Sequence, residues 1–103
     1  MSRKFIIAGN WKMNKTPAET RELISEIRNK LSASENRFIL CPPFLSIPSA
    51  MDEARDSIIN IGAQNCHWEE KGAFTGEISA KMLTEVGVKY VIIGHSERRA
   101  YFG

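Results

Sequence analysis

The sequence has 103 residues, of which 43% are hydrophobic and 25% are charged; this composition is typical of one globular domain and excludes disordered and collagen-like chains. The net charge of +2 and the absence of a patch of interleaved basic and aromatic residues argue against a nucleic-acid partner. No apolar run is long enough for a signal peptide or a membrane span. The two cysteines fit a reducing compartment, so we expect a cytoplasmic protein without membrane contact.

The first half of the chain predicts a strand, a helix and a second strand. Residues 5–8 are a short apolar run that Gly9 closes. The stretch TPAE at residues 16–19 reads as a capping box with proline at the first helical position, so a helix begins there. Its predicted apolar face consists of Leu23, Ile24, Ile27 and Leu31. The stretch RFILC at residues 37–41 predicts a strand that two consecutive prolines end.

The second half continues this alternation. Residues 46–56 predict a short helix, residues 57–65 a third strand, and residues 89–94 a fourth strand. A third helix lies between the last two strands, and Gly87 is its expected stop. The apolar residues expected on the second helix are Ile47, Ala50, Met51 and Ala54, and those on the third are Ile78, Met82, Leu83 and Val86.

The predicted order is therefore β-α-β-α-β-α-β within one α/β domain at residues 1–103. Such alternation implies parallel strands joined by right-handed crossovers, with helices covering the sheet. The strands are apolar on both faces, as expected for doubly covered parallel strands.

Polar side chains collect where these strands end, which is where parallel α/β folds bind their ligands. Asn10 and Lys12 share one face after strand one, Gln64 and Asn65 end strand three, and His95 ends strand four. Each of these polar residues alone is explained by the fact that strands end in solvent-exposed loops. As a set, they favour a functional site.

His95 precedes residues 96–98, which can open a helical turn. The N–H groups and dipole of that turn disfavour imidazolium and hold the ring neutral. A neutral imidazole can polarise a carbonyl by donating a hydrogen bond, and Lys12 adds a fixed positive charge for an anionic substrate or enolate. Glu97 is either an orienting or proton-carrying group or a carboxylate favoured by the helix start; the sequence leaves both open.

Metal and nucleotide cofactors have no support in the sequence. Cys66, His67, Glu69 and Glu70 supply ligand types without the spacing of structural zinc sites. The glycine-rich phosphate-binding motifs are also absent. We therefore expect no metal site and no organic cofactor.

Five motifs together resemble the N-terminal part of the triosephosphate isomerase family. They are GNWKMN at 9–14, CPPF at 41–44, GAQN at 62–65, GAFTGE at 72–77 and IIGHSERR at 92–99. The resemblance spans essentially the whole chain. It implies a TIM (β/α)8 barrel and a cytosolic enzyme of glycolysis and gluconeogenesis. This enzyme interconverts dihydroxyacetone phosphate and glyceraldehyde 3-phosphate through an enediol(ate) without a cofactor.

The resemblance also implies roles for individual residues. Asn10 and Lys12 match the substrate-contacting pair. His95 matches the electrophile that moves protons between the substrate oxygens, and Glu97 matches a nearby carboxylate implicated in that movement.

The loop at residues 65–79 resembles the interdigitating loop of the family's homodimer. Thr75 would reach the neighbouring subunit's site, and Glu77 and Arg98 would form an ion pair at the interface.

A TIM barrel takes about 250 residues and eight βα units, whereas this chain supplies three units and a fourth strand. No residue matches the family's glutamate base or lid, so we expect an incomplete domain that does not isomerise usefully alone. Strands one and four would be open edges, which predicts a larger parent chain, a complementary barrel segment or self-association. The alternatives are a non-catalytic assembly module docking through residues 65–79 and a generic small-ligand-binding α/β domain.

Overall fold

A computed structural model of the protein describes residues 5–31 and 37–102. Four parallel strands form one sheet in the order of the sequence. They are β1 (Ile6–Asn10), β2 (Arg37–Cys41), β3 (Ile59–Ala63) and β4 (Tyr90–Val91). The predicted parallel α/β fold is confirmed.

Helices connect the strands and one follows the last of them. They are α1 (Pro17–Lys30), α2 (Ile47–Glu53), α3 (Ala80–Glu85) and α4 (Ser96–Phe102), and a 3₁₀ turn at Phe44–Ser46 leads directly into α2. Within the described parts of the chain, no helix combines the length and apolar character that crossing a membrane requires.

The capping box predicted for α1 is present. The Glu19 N–H donates to the Thr16 hydroxyl, and the Thr16 N–H donates to the Glu19 carboxylate, over 3.3 Å and 3.0 Å. Together these bonds satisfy two N–H groups that a helix start otherwise leaves unpaired. The start of α1 is thus determined by residues close together in the sequence.

The core lies between the helices and one face of the sheet. Its buried members include Ile24 of α1, Ile47 and Ala50 of α2, and Ile59 and Ile61 of β3. Trp11, which the two-residue period predicts to point away from Asn10 and Lys12, packs against this core. The predicted apolar face of α2 therefore packs as expected, and so do Ile24, Ile27 and Leu31 of the predicted α1 face, whereas Leu23 is only partly buried outside this cluster.

The predicted apolar face of the third helix is only partly buried. Leu83 is buried, whereas Met82 is 52% exposed and Val86 is 44% exposed. The helix is only six residues long and Val86 is already its C-cap, so it presents little more than one turn to the core. Gly87 has a φ of +92°, which agrees with the predicted stop.

Two strands are shorter than predicted. The third strand covers Ile59–Ala63 because Ser57 forms a turn, its hydroxyl accepting the Ile59 N–H over 3.1 Å. Only Tyr90–Val91 forms the fourth strand, although the Ile92 N–H still donates to the Ala63 carbonyl over 2.9 Å.

Strands β1 and β4 are the two edges of the described sheet, as predicted. Their apolar side chains are correspondingly exposed: Ile6 is 66% and Ile7 is 47% exposed.

Replacing Thr16 by alanine should lower the free energy of unfolding by about 1 kcal/mol, because the Glu19 N–H loses its cap. Urea unfolding followed by circular dichroism measures this loss. Thr84→Ala is the matched control, since the Thr84 hydroxyl donates to the Ala80 carbonyl within α3 and caps no helix. Equal losses in the two variants would show that the capping box does not stabilise α1.

Candidate functional site

A cavity of about 550 Å³ lies at the carboxyl ends of the strands. Asn10, Lys12, Gln64, Asn65, His95 and Glu97 all line it. The residues that sequence reasoning placed at three separate strand ends therefore surround one space, together with the first turn of α4.

A second cavity, of about 510 Å³, lies between α2, β3 and the turn after α3. Its charged side chains include Asp52 and Arg55, which are paired with each other over 3.0 Å. No histidine or cysteine among residues 5–31 and 37–102 lines it. It lacks the acid–base cluster of the first cavity.

Lys12 has a left-handed backbone, with a φ of +56°, a conformation that costs a non-glycine residue about 1 kcal/mol. Its N–H donates to the Asn10 side-chain oxygen over 2.9 Å. Its carbonyl accepts a hydrogen bond from the Gln64 side-chain amide over 2.7 Å. The conformation that carries the Lys12 ammonium group is therefore held on both sides by amide side chains.

The Lys12 ammonium forms an ion pair with Glu97, with 2.6 Å between Nζ and Oε1. The hydrogen bond and charge of Lys12 lower the pKa of Glu97, and the same bond and charge of Glu97 raise the pKa of Lys12. Both side chains are about half exposed, so solvent weakens the pair. Glu97 lies in the first turn of α4, as the helix-start alternative requires, and it also has a partner in the cavity; its orienting or proton-carrying role stays a prediction.

His95 accepts a hydrogen bond at Nδ1 from the Glu97 backbone N–H, over 3.1 Å. A ring nitrogen that accepts a hydrogen bond carries no hydrogen, so this contact matches the tautomer with its hydrogen on Nε2. This is the geometry expected of a neutral imidazole at a helix start. The Nε2–H group is left as a donor toward a ligand, which is a suitable arrangement for polarising a carbonyl.

The loop at residues 65–79 carries Thr75 and Glu77 of the predicted interface, and α4 carries Arg98. Thr75 is exposed, and Glu77 and Arg98 line one small cavity of about 250 Å³. A carboxylate oxygen of Glu77 lies 3.9 Å from Nδ1 of His67, whose ring packs against Trp68 and Phe74. The interface roles of Thr75, Glu77 and Arg98 remain predictions.

Gln64 is the site residue whose function sequence reasoning missed. The sequence marks Gln64 as a polar strand end but does not predict the hydrogen bonds of its side chain. Its position two residues after Gly62, on the same face as Asn10 and Lys12, was the available signal.

Across residues 5–31 and 37–102, no three or more histidine, cysteine or acidic side chains are arranged to hold a metal ion. The Cys66 thiol instead donates to the His67 carbonyl over 3.3 Å.

A parallel α/β sheet with acid–base side chains converging at the carboxyl ends of its strands is the arrangement of α/β-barrel enzymes. The family model for triosephosphate isomerase matches residues 5–103. The chain therefore belongs to the triosephosphate isomerase family, and its fold is part of a TIM barrel. The resemblance carried by the five motifs is confirmed.

Several curated relatives carry the name triosephosphate isomerase. The protein from Acetivibrio thermocellus is 54% identical over 103 residues, covering all of this chain and 41% of that protein. The protein from Alkaliphilus metalliredigens is 58% identical over 100 residues, covering 97% of this chain and 40% of that protein. The chain thus spans about two fifths of the length of these relatives.

Replacing Lys12 by methionine should raise the pKa of Glu97 toward the ordinary glutamate value, because its hydrogen-bond donor and positive neighbour are removed. A carbon-detected NMR titration of the Glu97 carboxyl measures this. Lys81→Met, at an exposed position of α3, is the control and should leave the titration unchanged. An unaltered Glu97 titration in Lys12→Met would contradict the ion pair.

The directions of these two pKa shifts determine how the stability contributed by the Lys12–Glu97 pair depends on pH. The lowered pKa of Glu97 means that the pair stabilises the fold above the ordinary glutamate range and that this stability is lost as pH falls through the folded-state value. The raised pKa of Lys12 means that the same stabilisation is lost as pH rises through its folded-state value.

Proposed function

We propose that the protein containing this chain interconverts dihydroxyacetone phosphate and glyceraldehyde 3-phosphate through an enediol(ate), in the cytoplasm, as a step of glycolysis and gluconeogenesis. The observation that carries the proposal is the convergence of Lys12, Glu97 and a His95 ring with occupied Nδ1 in one cavity. Family membership supports the same reaction.

In the proposed mechanism, Lys12 and Asn10 bind the anionic substrate. The ammonium of Lys12 also offsets negative charge that develops on the substrate oxygens. His95 donates its Nε2–H to the carbonyl oxygen, which favours removal of a proton from the neighbouring carbon, and it then carries protons between the two oxygens. Glu97 orients His95 through its backbone N–H and takes part in this proton movement.

The base that removes the carbon-bound proton is proposed to lie in the part of the relatives that this chain does not cover. Such a base must come within hydrogen-bond reach of the substrate carbon. Glu97 is a carboxylate of the cavity, but it is already paired with Lys12. We therefore expect no useful turnover from the 103 residues alone.

The proposed homodimer uses the loops at the carboxyl ends of the strands. Large apolar side chains are exposed in these loops and on α4: Met13 is 94%, Trp68 is 85% and Tyr101 is 80% exposed. Exposed apolar groups of this size are typical of interaction surfaces. Thr75, Glu77 and Arg98 are proposed to belong to the same interface.

The exposed Trp68 and Phe74 favour a second candidate function, a non-catalytic assembly module that docks through residues 65–79. It requires association without turnover, so an activity assay separates the two candidates.

The first test joins these 103 residues to the uncovered remainder of the Acetivibrio thermocellus relative. A coupled isomerase assay should detect activity in the chimera and none in the isolated chain. His95→Gln should lower kcat by about 10²–10⁴-fold, because a positioned acid–base group is lost, with a much smaller change in KM.

Lys89→Gln is the matched control for this variant, because Lys89 precedes β4 whereas His95 follows it. It should retain the activity of the chimera. Turnover by the isolated chain would refute the claim that the catalytic base lies outside these 103 residues. An unchanged kcat in His95→Gln would refute the role of His95 as the electrophile. A folded, associating but inactive chimera would favour the assembly module.

Replacing Thr75 by arginine in the chimera should convert a dimer into monomers, because a long charged side chain would be forced into the interface. Sedimentation velocity at micromolar concentration measures the change. Thr84→Arg, on an exposed position of α3, should remain dimeric. A Thr75→Arg variant as dimeric as its parent would place the interface elsewhere.

A further inference from the structure

Gln64 connects three elements at the floor of the cavity. Its side-chain nitrogen lies 2.7 Å from the Lys12 carbonyl oxygen and 2.9 Å from the Cys41 carbonyl oxygen. Lys12 follows β1, Cys41 ends β2, and Gln64 itself follows β3. One amide group therefore joins the carboxyl ends of three neighbouring strands.

The chemistry of this junction is specific to a primary amide. An amide NH₂ carries two hydrogens on one nitrogen, so it can donate to two carbonyl groups at once. The Cys41 carbonyl also accepts the Trp11 N–H over 3.1 Å, which uses both of its lone pairs. A carboxylate at position 64 could donate to neither oxygen.

The backbone of Lys12 is where this junction acts. Its left-handed φ of +56° is one that a lysine leaves readily unless neighbouring groups hold it. Asn10 holds the Lys12 N–H, but Asn10 is only two residues away and ends the edge strand β1. Gln64 is 52 residues away in sequence and anchors Lys12 to the centre of the sheet.

We propose that Gln64 is a positioning residue that holds Lys12 in its left-handed conformation and thereby aims the ammonium at Glu97 and the cavity. Gln64 acts through Lys12 rather than on the substrate. The benefit to substrate binding rests on the proposed function, whereas the conformational claim does not.

The test uses the 103-residue chain and two NMR readouts. Gln64→Met keeps the side chain's length and removes both donors. The strong cross-peak between the amide and α protons of Lys12, which a left-handed residue gives, should weaken. The Glu97 carboxyl titration should move upward, toward that of Lys12→Met. Both readouts unchanged in a folded variant would overturn the proposal.

Asn60→Leu is the matched control. Asn60 lies on β3 four residues before Gln64, and its side-chain amide reaches the Phe38 carbonyl of β2 over 3.5 Å without touching Lys12. This variant should alter neither readout. Equal changes in both variants would mean that general loosening of the sheet, rather than the Gln64 amide, controls Lys12, and would also overturn the proposal.

If Gln64→Met does not fold, Gln64→Glu at neutral pH gives the same test, because it keeps the length and polarity of glutamine without a donor. The Lys12 cross-peak should weaken there too, and its persistence would overturn the proposal. Neither readout depends on turnover, so an inactive chimera would count against the proposed function and leave this inference standing.

Discussion

The ion pair between Lys12 and Glu97 joins the two opposite edges of the sheet. Lys12 follows β1 and Glu97 begins the helix after β4, and these strands lie at the ends of the strand order. Across four strands of a flat sheet the edges would be roughly 14 Å apart, yet Nζ and Oε1 approach to 2.6 Å. The two long side chains reach toward each other across the end of the sheet, and both line the cavity.

The core and the site occupy opposite faces of that sheet. Ile59 and Ile61 of β3 pack against the helices, while Gly62, the residue after Ile61, faces the other way. A side chain at Gly62 would begin only 2.7 Å from the Cys41 sulfur, so close packing also reaches the site face at the centre of the sheet. The edge strand β1 lacks this support on either face, as its exposed Ile6 and Ile7 show.

Features determined by nearby residues could be predicted from the sequence, and features determined by distant partners could not. The capping box of Thr16 and Glu19 spans four residues, and the bond from the Glu97 N–H to His95 spans three, so both followed from local pattern. The left-handed backbone of Lys12 could not be predicted, because lysine rarely adopts it and the Gln64 amide that holds it comes from another strand. The exposure of Met82 was also missed, since it depends on how short α3 is.

Two different kinds of contact hold the backbone and the side chain of Lys12. Its backbone is fixed by two amides that carry no charge, whereas its ammonium is held only by an exposed ion pair. An exposed pair is worth little net free energy, since water solvates the separated charges nearly as well. Lys12 can therefore exchange the Glu97 carboxylate for another anion at small cost while its backbone stays in place. An anion that meets this lysine would find the direction of the charge already set and the charge itself readily available, which is the kind of pre-organisation that electrostatic catalysis uses.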